Sequence, residues 1–172
     1  MRFRGTRRCN ITEADELSKY IDPMDFGLKP RALDNVRRRL GQFDVDRFAV
    51  PHNHVCARFN SLFETPAAEA ADAFSVSWAE GVSFILPEFA VSFIERVLDK
   101  IERDNAAVVC VVPWWASKSF WRRLHCAAWQ ERIVATLTLP PNSLAPHAEN
   151  REHCFFGRVF QSPLLAFRTR RL

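Results

Sequence analysis

Glycine is scarce, five in 172 residues, and neither G-x-x-x-x-G-K-[ST] nor G-x-G-x-x-G occurs. A glycine-rich loop cradling phosphates at a helix N-terminus is therefore disfavoured. The G-x-S-x-G elbow of serine hydrolases is missing as well. The five cysteines, Cys9, Cys56, Cys110, Cys126 and Cys154, are odd in number, scattered and never spaced C-x-x-C. This argues against a disulfide framework and a zinc ribbon, and free thiols are expected. The longest strongly apolar stretch, Ala106 to Ala116, falls well short of the ~20 residues a spanning helix needs, and Pro113 interrupts it. A membrane is not an expected partner. The basic opening, Met1 to Arg8, is not followed by the apolar segment of a secretory signal, so the expected setting is intracellular and reducing, in nucleus or cytoplasm.

Neither sign of charge dominates: 24 Lys plus Arg against 20 Asp plus Glu give a net +4 and a pI near 9.0. Such a surface tolerates a polyanion without demanding one. Hydrophobic residues at 48% and charged residues at 26% are ordinary globular values, so the chain should fold around one core.

Ile11 to Tyr20 reads as a short helix with Thr12 as N-cap, ended by Asp22-Pro23. Pro30 to Leu40 reads as a second, with Leu33, Val36 and Leu40 at helical spacing and Gly41 as its stop. Phe43 to Val50 alternates like a strand, and Pro51 to Ala71 reads as a connector. DAFSV and VSFIL are candidate strands on either side of Trp78 to Gly81. Ala90 to Asp104 is the clearest amphipathic helix, with Phe93, Ile94, Val97, Leu98 and Ile101 on one stripe. It feeds AAVVCVVP, an apolar run suited to a strand covered on both faces. Ser117 to Ala128 reads as a helix and Arg132 to Leu139 as a strand. Cys154 to Phe160 and Leu164 to Phe167 read as a terminal hairpin. Alternating strands and helices imply an α/β fold, with a mostly parallel sheet flanked by helices and closed by antiparallel strands at one edge.

Several residues carry chemistry that this architecture would place at strand ends. Asp44 and Asp46, late in a parallel strand, face the ligand crevice of a doubly wound sheet or else serve as caps and ion pairs. His52 with His54, His125 with Cys126, and His153 with Cys154 offer metal-binding atoms, but none has a known ligand spacing, and buried thiols and satisfied imidazoles are the commoner reading. Trp114 and Trp115, directly after the buried strand, either stack a planar base or pack between helix and sheet. The arginines of segments 2–8, 37–39 (Arg37 and Arg38 among them) and 168–171 would neutralise phosphates if they converged on one face.

Taken in order, NITEADELSKYID, DFGLKP, FDVDRFAVPHN, ARFNSLF, EAADAFSVSW and VVPWWASKSFW resemble the Pol polyproteins of DIRS-type, tyrosine-recombinase-encoding retrotransposons. The resemblance covers about Asn10 to Leu124, with a weaker echo at Leu164 to Arg168. It implies two parts: residues 1–22 as the tail of an RNase H domain, and residues 23–172 as a domain similar to phage Dam-like N6-adenine methyltransferases, with a Rossmann-like fold. Asp15 then matches the last metal-binding carboxylate of the RNase H. The other carboxylates of that site would lie upstream of Met1, so this chain alone assembles no two-metal nuclease.

For the second part the resemblance implies S-adenosylmethionine as cofactor, held near Pro30, Asp46 and Phe48, and DNA or RNA as partner. Such enzymes flip adenine out of the duplex and hold its amino group in an Asn/Asp-Pro-Pro-Tyr/Trp turn. The matching turn here is Leu86-Pro87-Glu88-Phe89. Pro87 keeps the backbone carbonyl and Phe89 the stacking face, but Leu86 brings no acceptor for the amino group. Methyl transfer is therefore expected to be weak or absent unless Glu88 substitutes. An active adenine methyltransferase using Pro87, Glu88 and Phe89 is the second reading. A non-catalytic assembly domain, beside the reverse transcriptase and RNase H of a full polyprotein, is the third.

Overall fold

Helix α1 (Pro30–Leu40) begins on a proline whose missing N–H would have had no intrahelical partner. It ends at Gly41, where φ is +87° and the N–H returns to the Arg37 carbonyl. The computed structural model describes residues 26–146 and 162–172. Ahead of α1 runs β1 (Phe26–Leu28), and after it β2 (Val45–Asp46), β3 (Arg58–Ser61), β4 (Ala70–Ala71), a 3-10 turn (Ala73–Ser75) and β5 (Val82–Ile85). Then come α2 (Val91–Arg103), β6 (Ala107–Pro113), α3 (Ser119–Leu124), α4 (Ala127–Arg132), β7 (Ile133–Leu139), β8 (Leu144–Pro146) and β9 (Leu164–Thr169). The helix expected at Ile11 to Tyr20 lies outside the described residues.

Seven strands form one sheet in the order β4-β3-β2-β5-β6-β9-β7. Strands β2 to β6 are parallel to one another, and β9 runs antiparallel between β6 and β7. A separate antiparallel pair joins β1 to β8. The fold is α/β, a mostly parallel sheet flanked by helices, as the element pattern implies.

Both faces are covered, which is why β6 is apolar and buried along its whole length. On one face Val36 and Leu40 of α1 pack with Phe43, Phe84, Val109, Val111 and Ala166. On the other, Ile94, Val97, Leu98 and Ile101 of α2, with Phe120 and Trp129, pack on Ile85, Val108, Cys110, Val112 and Phe167. Fully burying a side chain of this size gains about 1.5–3 kcal/mol, so these two layers carry most of the stability.

The structure corrects four local expectations. The strand at Phe43 to Val50 shrinks to Val45–Asp46, because the flanking carboxylates bind backbone: Asp44 accepts the Val82 N–H and Asp46 the Val55 N–H. DAFSV is a 3-10 turn, started by Asp72, whose side chain accepts the Phe74 N–H. The connector from Pro51 to Ala71 contains β3 and β4. Ser117 to Ala128 is broken at His125-Cys126 into two six-residue helices.

The antiparallel closure at the C-terminal end is present, but its pair is β7 with β9. Strand β9 lies between β6 and β7, and Cys154 to Phe160, the expected hairpin partner of Leu164 to Phe167, lies outside the described residues.

Candidate functional site

Strand order reverses between β2 and β5: from β2 the chain moves outward to β3 and β4, then returns to the far side of β2 as β5 and continues to β6. In open α/β sheets, ligands bind outside the carboxyl ends of the strands at such a reversal. Here the segments at those ends are Arg47 and Phe48 after β2, Leu62 and Phe63 after β3, Leu86 to Phe89 after β5, and Trp114 and Trp115 after β6.

The ends of β5 and β6 form an open groove of about 670 Å³ lined by Phe89, Val91, Trp114, Trp115, Ala116, Ser117 and Lys118. Phe89 meets Trp115 edge to face with ring centroids 6.4 Å apart, and also meets Phe26 at 4.9 Å. The opening segment around Phe26 to Pro30 and the Leu86 to Phe89 turn are thus neighbours. Trp114 leans on Trp121 at 4.7 Å while remaining 41% exposed. Backbone bonds set the groove floor: the Trp114 N–H donates to the Pro163 carbonyl and the Lys118 N–H to that of Trp115. Lys118 is exposed and is the one charged residue among the described residues that line the groove.

In the turn itself, Pro87 is buried, Glu88 exposed and Phe89 half-buried. Leu86 packs against the core layer that holds Phe84. Its side chain is used as a hydrophobe, and the turn offers a stacking ring next to an exposed carboxylate.

Asp46 sits at the carboxyl end of β2, 4% exposed. Its Oδ2 accepts the Val55 N–H at 3.0 Å, and the Phe48 N–H bonds to the same side chain. Burial raises its pKa to about 6, against the opposing pull of those two N–H groups and of His54. Phe48 turns to the α2 face, where it packs on Phe93 at 5.2 Å, Phe74 at 5.3 Å and Trp78 at 6.0 Å. Pro30 is exposed at the start of α1.

Arg47, beside Asp46, is itself 5% exposed. It donates from Nε to Ser83 Oγ and from Nη1 to Asn60 Oδ1, both at 2.9 Å. Sequence reasoning gave it no role, because nothing local marks an arginine as buried.

The implied cofactor does not fit these residues. Asp46 spends its carboxylate on its own loop, the Phe48 ring is packed into an aromatic cluster, and the 47–57 connection between β2 and β3 contains no glycine for close approach of a ligand to the backbone. No residue of that connection lines the groove.

The arginines of 37–39 and 168–171 come together at the C-terminal end of α1, where Arg168 meets the Leu40 carbonyl, and not at the groove. Arg37 donates to the Val55 carbonyl at 2.7 Å and lies over the Phe43 ring, whereas Arg38 is exposed beside Asn35. Arg168 donates to the carbonyls of Leu40 and Gln42, Arg170 to that of Glu131, and Arg171 to that of Gly81. Because β9 is antiparallel, these last three lie at the amino ends of the parallel strands, opposite the groove. Arg2 to Arg8 lie outside the described residues.

His54 and His125 are likewise engaged. His54 stacks on Phe59 at 4.5 Å and donates from Nδ1 to the Cys56 carbonyl, and His125 Nδ1 donates to the Trp121 carbonyl. Among the described residues no group of three or more His, Cys, Asp or Glu is placed to hold a metal ion. Cys56, Cys110 and Cys126 are free thiols, while Cys9 and Cys154, like His153, are outside the described residues. Burial pushes the Cys56 thiol up to about 12, and that of Cys110 higher still, so neither is a ready nucleophile. Among the described residues no helix is long and apolar enough to cross a membrane.

No known protein family matches the chain, and no curated protein is similar to it.

Proposed function

We propose that this chain is a retroelement-derived, methyltransferase-like domain that has lost catalysis and stacks an unpaired nucleobase in the groove between the ends of β5 and β6. The observation that carries the reading is the groove itself: Phe89, Trp114 and Trp115 meet at one open site with Lys118 on its wall. Aromatic faces accept any base, and a lysine supplies the phosphate contact that such binding needs.

Loss of catalysis is supported by the turn and the cofactor residues together. Leu86 has no acceptor for an amino group, and Asp46 and Phe48 are spent on internal packing. The retroelement origin is supported by the ordered motifs from Asn10 to Leu124. The strand order supports the methyltransferase-like fold, since a parallel sheet reversing between β2 and β5 and carrying one antiparallel strand near its edge is a Rossmann-like arrangement.

The test is fluorescence anisotropy of a labelled single-stranded oligonucleotide with wild type and Trp114→Ala, at two salt concentrations. Salt-dependent binding weakened about tenfold in the variant supports the reading. Binding that is absent, or indifferent to Trp114, sinks it.

A further inference from the structure

Two large side chains at the carboxyl end of β3 are left in solvent: Leu62 and Phe63 are each 71% exposed. Strand β3 is three positions from β6 in the sheet, through β2 and β5. Neighbouring strands lie about 4.8 Å apart, so Phe63 and Trp114 project from the same rim with about 14 Å of sheet between them. Phe89, at the end of β5, falls between the two. The rim therefore carries aromatic rings at the ends of three strands, Phe63, Phe89 and Trp114, in one row across the sheet.

We infer that this row is a binding track for a short run of unpaired nucleotides, with one base in the groove and another on Phe63. The inference rests on the groove reading above and extends it from a single base to a strand. A span of about 14 Å corresponds to about four stacked nucleotides at the ~3.4 Å rise per nucleotide of one strand, and fewer when the strand is stretched. A paired duplex keeps its base faces inside its own stack and cannot use such a row, so the ligand is single-stranded DNA or RNA.

Charge is placed to suit that ligand. Lys118 lines the groove, and the exposed Lys29 follows β1, whose Phe26 touches Phe89. Two exposed carboxylates adjoin these residues in the chain: Glu64 follows Phe63 and Glu88 precedes Phe89. A carboxylate repels phosphate but accepts a hydrogen bond from an exocyclic amino group, which adenine and cytosine carry and thymine and uracil lack. The track consequently favours amino-bearing bases.

The experiment is anisotropy on labelled dinucleotides and hexanucleotides of deoxyadenosine, on a thymidine hexamer, on an adenosine RNA hexamer and on a duplex of matched length. Each is run with wild type, Phe63→Ala and Trp114→Ala. The exposed Phe63 can be truncated without touching the core. The expected result is hexamer binding about tenfold weaker in Phe63→Ala, with the dinucleotide unaffected by that change, and the thymidine hexamer weaker than the deoxyadenosine one. If Trp114→Ala weakens binding and Phe63→Ala does not, the row is overturned and the groove stands. If neither variant changes binding, or the duplex binds as tightly as the single strand, both readings fall. Comparison of the DNA and RNA adenosine hexamers assigns the source of the strand.

Discussion

The Asp46 carboxylate accepts the Val55 N–H at 3.0 Å, so the loop that leaves β2 is folded back onto the residue that ends the strand. Asp46 is nearly sealed from solvent, and burial lifts its pKa from 3.8 to about 6. The folded protein therefore holds a proton here more tightly than the unfolded chain. For a group raised in this way, the contribution to stability is full below about pH 4 and is lost as pH rises through about 6. At ~1.4 kcal/mol per pKa unit, this loss is on the order of 3 kcal/mol. Urea unfolding at pH 4.5, 6 and 7.5 is expected to show wild type losing stability relative to Asp46→Asn across that window. Parallel pH profiles for the two proteins would contradict the assignment.

Gly81 is required by its neighbour as much as by its backbone. Its φ is +63°, and a Cβ at this position would stand 2.9 Å from Asp44 Oδ2, the atom that accepts the Val82 N–H at 2.7 Å and fixes the start of β5. Gly81→Ala is expected to cost about 1–3 kcal/mol, from left-handed strain together with displacement of that carboxylate. Chemical denaturation should register the loss as a lower midpoint with an unchanged slope.

Helices α2 and α3 are clamped by one arginine. Arg123 meets Glu95 at 3.0 Å, Asp99 at 2.7 Å and Glu102 at 2.6 Å, three carboxylates on successive turns of α2, while its guanidinium lies 5.8 Å from the Trp129 ring centroid. An isolated surface pair would contribute little, but a shared, partly buried network contributes more. Arg123→Ala should destabilise by about 1–2 kcal/mol, less in high salt. Arg123→Lys should recover only part of this, since an ammonium cannot fork between carboxylates. Thermal melts at two ionic strengths check both statements.

How far the sequence discloses this molecule depends on whether a residue's role is set locally. Helix α2 is legible because Phe93, Ile94, Val97, Leu98 and Ile101 recur at helical spacing, and β6 because a seven-residue apolar strand must be covered on both sides. Strand β3 is hidden because Asn60 and Ser61 are polar yet buried, and the side chain that satisfies Asn60 is Arg47, 13 residues away. The seat of β9 between β6 and β7 is equally hidden, since a run buried on both faces says nothing about which strands flank it. At the site, aromatic bulk after a buried strand marked Trp114 and Trp115. Phe63 carried no such mark, and only the strand order brings it to the same rim.

Arg47 offers a sharper test of the hidden half of the fold. Its guanidinium is held by two neutral acceptors, Ser83 Oγ and Asn60 Oδ1, and no carboxylate among the described residues is bonded to it. Removing one partner of such a buried set costs more than the set contributes, because the remaining polar atoms lose their bonds without regaining water. Arg47→Ala is expected to destabilise by about 3 kcal/mol, measured by urea unfolding. A change below about 0.5 kcal/mol would mean that Asn60 and Ser83 find other donors, and that the polar layer joining β2, β3 and β5 is not held by Arg47.

The proposed loss of methyl transfer has its own measurement, independent of nucleic acid. Calorimetric titration of the folded chain with S-adenosylmethionine is expected to give no binding, because Asp46 and Phe48 are committed to the loop and the aromatic cluster rather than to the crevice. Asp46→Ala is expected to behave in the same way toward the cofactor while losing the loop's anchor. Micromolar binding in wild type that disappears in Asp46→Ala would reverse the argument. It would show that the 47–55 loop opens at a cost small enough for the cofactor's binding energy to offset, and would return Glu88 and Phe89 to the reaction as acceptor and stacking face.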